Sequence, residues 1–127
     1  MQWFTASMNV ELKEDGILLI HPPTDFKGPE TIEYARENID LLRNEIGIDR
    51  VLGIIAHMPA HYVNAEASRH YRKNAPPVPT AMVADSFFTR MMGNFLLALN
   101  SRERPMKLFA TEAEGRQWVR EKVASSR

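Results

Sequence analysis

The sequence predicts an α/β fold: one domain spanning residues 1–127, with a five-stranded mixed sheet and four helices. Three observations predict it. A chain of 127 residues encloses one hydrophobic core and is too short for two full domains. Short apolar runs alternate along it with segments whose apolar residues recur every three or four positions, the two periods of strand and helix. The first two runs are joined by a tight turn, so the sheet starts with an antiparallel hairpin and continues with parallel strands fed by helical crossovers.

Met8-Asn9-Val10-Glu11-Leu12-Lys13 alternates apolar and polar residues, Glu14-Asp15-Gly16 supplies the turn, and Ile17-Leu18-Leu19-Ile20-His21 is a strand covered on both faces. Pro22-Pro23 ends it. Gly28-Pro29 places a proline at the first position of a helix whose buried stripe is Ile32, Ala35, Ile39, Leu42 and Ile46. Gly47 fits a left-handed cap, with Ile48 as its apolar contact. Val51-Leu52-Gly53-Ile54-Ile55-Ala56 reads as a buried parallel strand. Asn64 caps a helix running to about Lys73, with Ala65, Ala67 and Tyr71 packing inward, and Ala75-Pro76-Pro77-Val78-Pro79 ends it. Thr80-Ala81-Met82-Val83-Ala84 is the next strand. Asp85 or Ser86 caps a helix from Phe87 to Leu99, Met106-Lys107-Leu108-Phe109 is the last strand, and the capping-box spacing of Thr111 and Glu114 opens a final helix through Trp118 and Val119. The last four residues are expected to fray.

Composition excludes several classes of function. Sixteen basic residues cancel sixteen acidic ones, so no large basic footprint for nucleic acid exists, and the stretch Arg69-His70-Tyr71-Arg72-Lys73 reads as a solvated helix face. The chain has no cysteine, which removes disulfides, thiolate zinc sites and thiol nucleophiles and is compatible with a reducing cytoplasm. No stretch approaches the roughly 18 uncharged apolar residues of a membrane span, and Met1-Gln2-Trp3-Phe4-Thr5 lacks a basic start followed by an apolar run, so neither a membrane span nor secretion is expected. Neither a glycine-rich phosphate loop nor a Gly-x-Ser-x-Gly nucleophile turn is present.

Among the residues that could carry chemistry, His57 and His61 have the His-x-x-x-His spacing, but Pro59 between them argues against one helix and no glutamate accompanies them, so they read as loop residues. His21 and His57 become neighbours if their strands pair, yet two histidines lack a third ligand, and no metal or cofactor is assigned. Asp25, Asp49 and Asp85 sit at element ends as caps or turn residues. Ser86 and Asn94 with Arg90 offer a cradle for a small anion at a helix N-terminus, although capping is the first reading of that position. The helix between Phe87 and Leu99 is apolar around most of its circumference. Phe87, Phe88, Met91, Met92, Phe95 and Leu96 therefore exceed one buried stripe and imply a second apolar surface, for a partner, a second copy or a ligand.

The element order, the segment from Ala81 to Phe95 with its Ala-Asp-Ser-Phe-Phe and Gly-Asn-Phe, the Pro105–Phe109 strand and the Thr111–Trp118 helix together resemble the STAS-like fold of anti-sigma-factor antagonists, specifically the small bacterial SpoIIAA-like (STAS/SEC14-type) proteins. The resemblance implies a non-enzymatic regulatory module in the bacterial cytoplasm that works by protein contact, and the apolar helix between Phe87 and Leu99 adds the expectation of self-association as a homodimer. Its alternative is a domain that holds a small lipid-like apolar ligand. The phosphorylatable Asp-Ser-Ser-Gly segment of the antagonists has no counterpart in Pro59-Ala60-His61-Tyr62-Val63-Asn64-Ala65-Glu66-Ala67.

Overall fold

All five apolar runs form strands in a computed structural model of the chain, which describes residues 1–59, 61–84 and 103–126. In chain order the elements are β1 (Gln2–Phe4), β2 (Asn9–Leu12), β3 (Ile17–His21), α1 (Ile32–Leu41), β4 (Gly53–His57), α2 (Ala65–Asn74), β5 (Thr80–Val83), β6 (Met106–Phe109) and α3 (Glu112–Ser125). The strands lie in one sheet in the order of the sequence, β1 to β6. β2 runs antiparallel to both β1 and β3, and β3 through β6 run parallel.

Among the described residues the sheet thus has six strands where five are expected, and the antiparallel part is a three-stranded meander rather than a hairpin alone. β1 escapes the periodicity rule because it is three residues long and offers one inward side chain, Trp3, which pairs with Val10. Three helices are found among the described residues. The helix read over Phe87–Leu99 lies outside them. α1 begins at Ile32 after Thr31, so Pro29 precedes the helix instead of opening it. The freed residues are used differently: Glu30 makes an isolated parallel bridge with Val63. α1 is continued by a wider π-type turn, Leu42–Ile46, which ends at Gly47 with φ of 88°. At the other end of the chain, α3 runs to Ser125, into the tail expected to fray.

β3 shows why an unbroken apolar run belongs inside. Leu18 faces a cluster with Ile39, Leu42, Ile46 and Ile54, while Ile17 and Leu19 face the opposite cluster with Ile55, Ala81, Val83 and Val119. Strand alternation sends successive side chains to opposite faces. α1 and α2 pack together over the first face, and α3 covers the second against β4, β5 and β6. The result is a helix–sheet–helix sandwich in which Leu18 and Ile55 are fully enclosed.

α3 approaches β4 closely enough that Gly53 has no room for a side chain: a Cβ there would overlap Val119 Cγ1, and Val119 is itself fully buried. Gly53→Ala therefore forces α3 outward. We expect it to destabilise the fold by about 1–3 kcal/mol, the range for overpacking a filled core, measured as a lowered urea midpoint with an unchanged slope.

Candidate functional site

A cavity of about 220 Å³ lies between the helical layer of α1 and α2 and the sheet. The sheet side is apolar: Ile20, Ile54, Ala56, Met82 and Met106 project from neighbouring strands onto one face. The helical side carries the polar groups Glu30, Asn38, His61 and Tyr71. Arg104 closes the end near α2, where its guanidinium donates to the carbonyl oxygens of Arg72, Ala75 and Pro76 at 3.0, 2.7 and 3.2 Å. Arg72 lies in the last turn of α2, where carbonyls have no intrahelical partner, and Ala75 and Pro76 follow directly after the helix.

Glu30 is the centre of the polar wall and is 5% exposed. A carboxylate so enclosed is costly unless its oxygens are satisfied. Tyr71 donates its hydroxyl hydrogen to Glu30 Oε2 in a short hydrogen bond, and His61 Nε2 lies 2.7 Å from Oε1. Ionised, Glu30 only accepts, so His61 bears its ring hydrogen on Nε2. Asn38 uses both amide hydrogens, donating to the Tyr71 hydroxyl at 2.7 Å and to Ser7 Oγ at 2.9 Å, and its Oδ1 accepts from Thr5. The backbone fixes Glu30 as firmly: its N–H donates to the Tyr62 carbonyl at 2.7 Å and its carbonyl accepts from the Asn64 N–H at 3.0 Å. Gly28, at φ of 79°, permits this close approach, since a Cβ there would sit 2.9 Å from His61 Cβ. Burial above all, and then the charge of Glu30, pushes the Tyr71 phenol far above its ordinary 10.0.

A second polar group lies at the carboxyl ends of β3 and β4. The parallel register pairs Ile20 with Ala56, so His21 and His57 emerge side by side, with rings stacked at 4.2 Å. Glu112, the first residue of α3, places Oε1 2.8 Å from His57 Nε2, and its Oε2 lies 3.6 Å from Arg116. Thr111 holds the start of α3 by accepting the Glu114 N–H at 3.3 Å, the predicted cap. Burial first, and His57 second, hold His21 below its ordinary 6.5, while the hydrogen bond from His57 holds Glu112 below 4.5. One donor atom from each of His21, His57 and Glu112 lies within 4.8 Å of the other two.

The structure separates His57 from His61. The first faces His21 and Glu112; the second faces Glu30 and the edge of Phe26 at 4.7 Å. Asp85, Ser86, Arg90 and Asn94, with Phe87, Phe88, Met91, Met92, Phe95 and Leu96, lie outside the described residues. Arg69, Arg72 and Lys73 are exposed on α2, as a solvated face requires. Sequence reasoning missed Glu30, Asn38, Arg104 and the role of Glu112. Asn38 had a signal: it falls three residues after Ala35 and four before Leu42, on the buried stripe, where a polar residue needs partners. No helix of the described residues is long and apolar enough to cross a membrane. No protein-family model, curated protein or solved structure matches the chain.

Three outcomes follow from these environments. Tyr71→Phe leaves Glu30 short of one donor and Asn38 short of one acceptor, and we expect a loss of about 1–3 kcal/mol in urea unfolding. The raised phenol of Tyr71 also acts at alkaline pH. The unfolded chain releases that proton as pH passes about 10 while the native state keeps it, so stability is present below that pH and falls above it. The alkaline fall, followed by thermal midpoints, is expected to be shallower in Tyr71→Phe. On the acid side, the native state disfavours protons on both His21 and Glu112. Stability is therefore expected to drop as pH falls through 6.5 and again through 4.5, with His21→Leu flattening the first step.

Proposed function

We propose that the chain is a non-enzymatic binding module that holds a small, largely apolar molecule between its α1–α2 layer and its sheet. The cavity carries this reading. At about 220 Å³ it exceeds the space of a few waters, and its sheet wall offers water almost no hydrogen-bonding partners. An engineered apolar cavity of roughly 150 Å³ takes up benzene, so this volume suits a single ring or a short acyl segment better than a whole phospholipid. The wall formed by Glu30, His61, Tyr71 and Asn38 gives such a ligand one polar end to orient it. Within the resemblance to SpoIIAA-like domains, this favours the ligand-holding alternative, in a bacterial cytoplasmic setting.

The reading as a regulatory protein-contact module, self-associating as a homodimer, has its motive in the apolar sequence Phe87–Leu99. The two readings separate in native mass spectrometry of the full chain before and after organic extraction. A ligand module gives a bound mass that extraction removes. A contact module gives a dimer that Met91→Asp or Phe95→Asp converts to a folded monomer.

Indole serves as a defined probe. Saturation-transfer NMR is expected to show it bound to the extracted protein and displaced in Ala56→Leu, whose added carbons enter the cavity beside Ile54 and Met82. Val63→Phe, on the opposite wall, gives a second way to fill the space. If extraction removes nothing and indole does not bind, or if indole binds equally to both folded variants, the cavity is not a binding site.

A further inference from the structure

We propose that His21, His57 and Glu112 form a three-ligand site for a divalent first-row transition ion, with zinc as the best fit. Two imidazole nitrogens and one carboxylate oxygen are the donor set of open zinc sites, in which three protein ligands leave a coordination position for water or another molecule.

The fold supplies the geometry from three separate elements. The β3–β4 register brings the histidines to adjacent strand ends, and the Thr111 cap fixes the first turn of α3, where Glu112 sits opposite them. Four ligands about 2.0–2.2 Å from zinc lie roughly 3.3 Å from one another. The donor atoms here lie within 4.8 Å of one another, and His57 and Glu112 are already at 2.8 Å, so side-chain shifts of at most about 1.5 Å complete the set. All three residues are half-buried, which leaves an ion a path from solvent while limiting its competition with bulk water. The second carboxylate oxygen of Glu112 faces Arg116, an outer contact that orients the group and leaves Oε1 toward the histidines.

The alternative is purely structural. In that case the His57–Glu112 hydrogen bond pins α3 to β4, and the His21 ring packs on His57. The site does not depend on what fills the cavity, although His57 also lines the cavity wall.

The test uses the full chain after EDTA treatment. Equilibrium dialysis against Zn²⁺ is expected to load one ion per chain, and Co²⁺ in its place is expected to give the visible d–d bands of a four- or five-coordinate ion. His21→Gln and Glu112→Gln are each expected to weaken Zn²⁺ binding at least about tenfold, the scale seen when metal-site partners are lost, while His70→Gln leaves it unchanged. A readout on the unaltered protein guards against variants that fail to fold. The chain has four histidines, and Zn²⁺ is expected to shift the ring signals of His21 and His57 in NMR while leaving those of His61 and His70 in place. Uptake well below one ion per chain, equal uptake by both folded variants, or perturbation of all four histidines alike would overturn the site.

Discussion

The buried carboxylate of Glu30 sets the terms on which the helical half of the molecule is built. Without partners, a charge in that position would cost several kcal/mol. With Tyr71 and His61 on its oxygens it holds two distant parts of the chain in register, and Asn38 extends the hold to Ser7 and Thr5 in the β1–β2 connection. Four segments therefore meet at one polar node: the β1–β2 loop, α1, α2 and the Glu30–Val63 bridge. The node ties the helical layer to the loops around it by hydrogen bonds, which fix distances, and its side chains form the polar wall of the cavity.

The sheet contributes a different constraint. Parallel register places equivalent residues of β3 and β4 side by side, and alternation divides them between faces. Ile20 and Ala56 turn to the cavity, and the next residues, His21 and His57, turn to the α3 side. One pair of strand ends thus serves both candidate sites, in keeping with the general placement of ligands at the carboxyl ends of parallel strands. His57 touches both.

The regular elements were legible in the sequence because each rests on a local rule. The β2–β3 turn, the Asn64 and Thr111 caps, the Gly47 stop and the apolar runs of β3 to β6 are statements about residues at most five apart. β1 was not legible, since three residues hold too few repeats to show a period. The start of α1 was misplaced because Pro29 suits both a helix start and the extended approach to one, and only the pairing of Glu30 with Val63 decides between them. The candidate sites were the least legible. Glu30 and His61 are 31 residues apart, and His57 and Glu112 are 55 apart, so neither pair leaves a spacing that a motif could capture. His21 with His57 was the exception, because their shared position at strand ends is itself a local feature.

A sheet whose spatial order equals its chain order has a consequence for synthesis. Each strand pairs with the one made just before it, so no edge has to wait for a strand that emerges later. The Glu30 node is complete once Tyr71 has left the ribosome, well before the chain ends. The histidine pair gains Glu112 only with the final helix, so the two halves of the molecule acquire their chemistry at different moments of the protein's birth.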